Sequence, residues 1–170
     1  MSFWKRSILP EEDTRVVCDA LQNVLVSLVD LALQGKQAHW NLYGQNFQSL
    51  HEKLDGIVET ARASSDTVAE RMNQLGVAPD GRRNTVAETS PLENYSPDFE
   101  PVPRALHLVA DRLHTTDDAL RSARKAVADP DPMTEDILIA ISQEVEEHLW
   151  MIQAMEKDAG SEPAAASRLP

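Results

Sequence analysis

With 170 residues, 42% of them apolar and six glycines, the chain is long enough for one domain with a substantial hydrophobic core. A formal charge of −12 and a pI near 4.7 exclude a protein that grips DNA through its whole surface and suit one that attracts cations. A lone cysteine, Cys18, excludes an intrachain disulfide and fits a cytoplasmic protein; the N-terminus shows no long apolar run for a signal peptide or membrane span.

Aromatic residues are few, and apolar residues recur at helical intervals, so the expected class is all-α. Residues 1–10 read as an N-terminal arm, 11–158 as a four-helix bundle domain and 159–170 as a flexible C-terminal tail. Pro10 followed by Glu11, Glu12 and Asp13 marks a helix start, because proline and acids suit a first turn. That helix should span about 11–40, with Val17, Leu21, Val24, Leu28 and Leu31 inward. A second should span about 45–75, with Phe47, Leu50, Leu54, Ile57, Ala61, Val68, Met72 and Leu75 buried and Gly76 closing it. Residues 77–100 form a long connection with room for a short helix near 85–95. An up-down-down-up bundle needs one such crossover. A third helix is expected over 101–128, ended by Asp129-Pro130-Asp131-Pro132, and a fourth over 135–158 with Thr134 as its N-cap.

The chemistry concentrates between residues 36 and 71. His51 and Asp55 are four apart, as are Asp66 and Glu70, and such pairs stack on one helix face. Eleven residues separate Asp55 from Asp66, close to three whole turns, so all four share one stripe. Those eleven residues also rise about 16 Å, whereas metal–ligand bonds are about 2 Å long. Either one helix carries two half-sites, or two copies share sites. Two antiparallel copies crossing near residues 60–62 would set His51 and Asp55 of one against Glu70 and Asp66 of the other. Ala61, Ala63, Ser64 and Ser65 would allow the close approach. His39 joins them if the chain reverses at Gly44. Mixed nitrogen and oxygen ligands suit Fe(II), with zinc, cobalt and manganese as competitors.

The run KQAHW–N–G–NF–LHEKLD, then ten residues, then D and AER, resembles the signature of the Dps family of ferritin-like mini-ferritins. Weaker similarity spans about residues 15–157, and the five ligand positions show no departure. The resemblance implies a ferritin-like four-helix bundle with a short extra helix in the crossover, assembled as a hollow homododecamer. It implies a ferroxidase site at a twofold interface, holding two iron ions: His39, His51 and Asp55 from one subunit, Asp66 and Glu70 from its mate. Hydrogen peroxide, or dioxygen, would be the oxidant, ferric mineral would fill the cavity, and DNA would be spared oxidative damage. Trp40 would lie beside the iron and absorb stray oxidising equivalents. Asp129, Asp131, Glu135 and Asp136 would line a threefold pore for iron, against the plainer role of helix capping. Glu144, Glu146, Glu147 and Glu156 would face the cavity or solvent, and His107, His114 and His148 would have surface or interface roles. The alternative function is non-specific DNA binding and nucleoid compaction, with iron secondary. The arms support it thinly: Lys5 and Arg6 at one end, Arg168 at the other.

Overall fold

The computed structural model describes residues 3–159; the expected tail beyond Ala159 lies outside the described residues. Five α-helices follow in order: α1 Glu11–Trp40, α2 Phe47–Gln74, α3 Arg83–Thr89, α4 Val102–Val127 and α5 Pro132–Ala159. α1, α2, α4 and α5 form the bundle. Contacts run in opposite directions along each neighbouring pair. His39 meets His51, Thr60 meets His148, and His107 meets Glu156 while Arg121 meets Glu146. α1 and α2 are therefore antiparallel, as are α2 with α5 and α4 with α5, giving the up-down-down-up order.

The core is built from the expected stripes. Val17, Leu21, Val24, Leu28 and Leu31 of α1 are buried, as are Leu106, Val109, Leu113, Leu120 and Val127 of α4. Each fully buried leucine contributes about 1.5–3 kcal/mol relative to its exposed state. α1 is long and apolar enough by composition to cross a membrane, but its apolar stripe is occupied by the bundle. On α2 the expected stripe holds except at Phe47, which is 41% exposed and stacks on His51 at 5.2 Å.

The helix ends show what local chemistry did. α2 stops in a Schellman arrangement: Val77 N–H donates to Met72 C=O (3.0 Å) and Gly76 N–H to Asn73 C=O (2.9 Å). Gly76 has φ +83°, which glycine adopts without strain. α5 begins earlier than expected, at Pro132, and Thr134 is not its N-cap. Asp131 fills that role, since its carboxylate accepts from both the backbone and the hydroxyl of Thr134. Pro132 takes the first helical position, where a missing N–H costs nothing.

Two features hold the crossover. α3 leans on α1: Gln22 exchanges two 2.9 Å hydrogen bonds with the backbone of Asp80, and the Ser90 hydroxyl donates to Asp30. Farther on, Leu42–Tyr43 (β1) and Glu100–Pro101 (β2) form a two-residue parallel bridge, with Leu42 opposite Glu100. Glu100 N–H also donates to Asn41 C=O at 2.7 Å. The end of the crossover is thus pinned to the reversal between α1 and α2. The N-terminal arm is tied down as well: Phe3 N–H donates to Gly76 C=O (2.9 Å) and Trp4 Nε1–H to Asn73 C=O (2.6 Å).

Candidate metal centre

The centre starts at the reversal between α1 and α2. Gly44 has φ +112° and Asn46 φ +63°, so the chain turns back within a few residues of Trp40. Gly35 then lets the two helices approach closely. A Cβ built there would lie 2.8 Å from Val58 Cγ2, closer than side chains tolerate. The turn and the close approach bring His39 and His51 together, twelve residues apart in sequence. Their rings stack with centroids 3.6 Å apart and planes 25° apart.

The two histidines fix one another's orientation. His39 Nδ1 lies 3.1 Å from the His51 carbonyl oxygen, and His51 Nδ1 lies 3.1 Å from the His39 carbonyl oxygen. A carbonyl can only accept, so each neutral ring carries its proton on Nδ1 and keeps a lone pair on Nε2. A metal-ligating imidazole needs just this arrangement, with an internal acceptor setting the tautomer. Asp55 joins them, its Oδ1 3.3 Å from His39 Nδ1. His39 is buried, His51 half-buried, and the Asp55 side chain 54% exposed.

Sequence reasoning missed Lys36. Its ammonium donates to Asp55 Oδ1 at 2.5 Å, so a cation already rests on a predicted ligand. The hydrogen bond from Lys36 holds the Asp55 carboxyl below the ordinary carboxylate range, against the opposing cost of desolvation. The signal was present: Lys36 precedes His39 by three residues, one turn back on the same face.

Asp66 and Glu70 stand elsewhere. α2 runs without interruption from Phe47 to Gln74, so Asp66 is about 16 Å along the axis from Asp55. Both acids are exposed. Among the described residues of one chain, no group of three or more histidine, cysteine or acidic side chains converges to hold an ion. His39, His51 and Asp55 thus lie together at one end of α2, with Asp66 and Glu70 toward the other. Of the small residues expected at a crossing between copies, Ala61 and Ser64 face this chain's own core. Ala63 and Ser65 remain on the outer side.

Trp40 is 67% exposed beside His39, so core packing does not explain it. Next to Glu70, Arg71 turns inward. Its guanidinium donates to Asp131 at 2.7 Å, to Thr134 at 2.9 Å and to Gln74 at 3.0 Å. Asp131 is consequently buried, and the reading of it as a pore-lining acid is corrected: it caps α5 and pairs with Arg71. Asp129 and Asp136 are exposed and Glu135 half-buried at the same end of the bundle. Of the acids expected to face the cavity or solvent, Glu146 pairs with Arg121 and Glu156 with His107, leaving Glu144 and Glu147 exposed. His148 lies between α2 and α5, with Nε2 2.9 Å from the Thr60 hydroxyl.

A family model described as a ferritin-like domain matches residues 18–159. The chain is 35% identical over 150 residues to the DNA protection during starvation protein of Agrobacterium fabrum, covering 86% of this chain and 91% of that protein. The chain belongs to the Dps family. Among solved Dps structures, that of Mycobacterium smegmatis superposes with a TM-score of 0.87 at 29% identity, covering 99% of this chain and 96% of that one. Dps92 from Deinococcus radiodurans gives 0.82 at 31% identity, covering 85% and 87%. The all-α Dps bundle with a helix in its crossover is thus the fold of this chain.

Proposed function

We propose that this Dps-family chain oxidises Fe(II) at centres shared between two copies and stores the ferric product inside a hollow dodecamer in the cytoplasm. Family membership supports the general role in iron storage and DNA protection. The observation that carries the finer reading is the pair of reciprocal His39–His51 bonds, which leaves a lone pair on Nε2 of each ring, with Asp55 Oδ1 3.3 Å from His39 Nδ1. Asp66 and Glu70, exposed and on the same helix, supply the complement from the mate across a twofold axis.

Iron is the substrate here. Two Fe(II) ions held together each give one electron to hydrogen peroxide, which takes up two protons and leaves as two waters. Dioxygen is the alternative oxidant, taking up the two electrons and two protons to leave as hydrogen peroxide. Pairing the electrons avoids release of a hydroxyl radical. Carboxylate oxygens stabilise Fe(III) more than Fe(II), so Asp55, Asp66 and Glu70 favour oxidation, while His39 and His51 give neutral nitrogen ligands. Lys36 must leave Asp55 as iron arrives. Trp40 takes up stray oxidising equivalents in this reading, which its exposure next to His39 supports.

Complementation between chains tests the reading. His51→Ala/Asp55→Ala and Asp66→Ala/Glu70→Ala are each expected to abolish rapid iron oxidation with helical content unchanged. Chains of the two kinds, unfolded together and reassembled, are expected to recover about a quarter of parental activity. Half of random pairs are mixed, and each mixed pair rebuilds one of its two centres. Recovery of none would place the whole centre within one chain and refute the shared site.

A further inference from the structure

We propose that His107 and Asp111 on α4, with Glu156 of α5 holding the imidazole, bind a divalent transition-metal ion at a second site, separate from the shared centre. His107 and Asp111 are four residues apart, the spacing of His51 and Asp55. His107 Nε2 lies 3.6 Å from Asp111 Oδ2, too long for a good hydrogen bond. Two ligands of one ion, each about 2.0–2.2 Å from it, stand at nearly that separation.

The second observation is on the other ring nitrogen. His107 Nδ1 is 3.0 Å from Glu156 Oε1. The carboxylate accepts, so the neutral ring is protonated on Nδ1 and turns its Nε2 lone pair toward Asp111. This carboxylate–histidine relay is the arrangement that orients metal-bound imidazoles. It leaves a nitrogen lone pair and an anionic oxygen facing one another, a pairing that a cation relieves. All three side chains are open to solvent, at 52%, 54% and 35% exposure.

An internal control lies two turns on. His114 and Asp118 have the same spacing and an Nε2–Oδ2 distance of 3.8 Å, but His114 has no Nδ1 partner among the described residues. Its ring is not held. Arg112 Nη1, 3.9 Å from Asp111 Oδ2, repels a cation and makes the site weaker than the shared centre. Imidazole with one carboxylate favours Zn(II), Co(II), Ni(II) or Fe(II) over Ca(II) or Mg(II).

Titration of the assembled full chain with Co(II), followed by calorimetry and visible absorption, tests the site. The background is His51→Ala/Asp55→Ala, which disables the shared centre. Adding His107→Ala or Asp111→Asn is expected to remove one Co(II) per chain. Glu156→Gln should weaken that binding about tenfold, and His114→Ala should leave the isotherm unchanged. Coincident isotherms with and without His107→Ala overturn the site. An unchanged affinity in Glu156→Gln overturns the orienting role. Failure of the complementation experiment would not alter either result, because the two sites share no residue.

Discussion

Replacing Asp131 with asparagine should destabilise the fold more than almost any other single polar change. Arg71 and Asp131 are 2.7 Å apart, with side chains only 5% exposed. Asparagine still caps α5, so the capping contribution is largely kept. What is lost is the countercharge. Arg71 would be left with Thr134 and Gln74 as neutral acceptors. Breaking one side of a buried pair costs about 3–5 kcal/mol. For a chain of this size each kcal/mol moves Tm by about 2–4 °C, so a fall of roughly 6–20 °C is expected. Burial opposes ionisation of Asp131, but the Thr134 hydroxyl and Arg71 outweigh it and hold the carboxyl below its ordinary value. A depressed folded pKa gives stability that is fully present above the unfolded value and lost as pH falls through the folded one. The parent should therefore lose stability below about pH 4, and Asp131→Asn should lose less over that range. Thermal and urea unfolding followed by far-UV circular dichroism measure both effects. A melt at pH 7 within about 2 °C of the parent, with an unaltered acid limb, would refute the reasoning.

Lys36→Gln should raise Co(II) affinity at the shared centre by up to about fivefold, the scale of a partly exposed ion pair no longer competing for Asp55; calorimetry reads it. Gly35→Ala should cost about 1–3 kcal/mol by forcing Cβ against Val58, and Val58→Ala in the same chain should return part of that in urea unfolding. DNA retardation in gels, which rests on the exposed Lys5 and Arg6 of the described arm, should fade between about 50 and 200 mM salt. Retardation that survives the higher salt would favour the DNA-coating function.

The helices and their buried faces were legible because apolar periodicity is a local signal. Leu21, Leu28, Leu106, Leu113 and Leu120 announce their burial by spacing alone. The His39–His51 approach was legible as well, through Gly44. Other features depend on partners distant in sequence. No local pattern marks a two-residue strand, so the bridge between Leu42 and Glu100 could not be anticipated. Asp131 reads from its neighbours as one of four surface acids. Only Arg71, sixty residues earlier, draws it inward. Ser64 likewise reads as a crossing residue until the core of its own bundle claims it, whereas Ala61 is buried as its place in the apolar stripe predicts.

These differences divide the candidate centre into two halves with separate structural supports. The histidine half is set by backbone. Gly44, the Gly35–Val58 approach and the two carbonyl acceptors leave the rings little freedom, and the β1–β2 bridge braces the turn from outside. The carboxylate half is set by the course of α2 and by its far end, where Arg71, next to Glu70, is locked to the start of α5. Each support acts within one chain, yet a shared centre takes one half from each copy. A defect at Gly35 therefore damages a site through its histidine donor, and a defect at Asp131 through its acid donor. In mixed assemblies, Gly35→Ala chains should be rescued at centres where they supply only Asp66 and Glu70. Asp131→Asn chains should be rescued where they supply only His39, His51 and Asp55. A centre confined to one chain predicts no rescue of either kind.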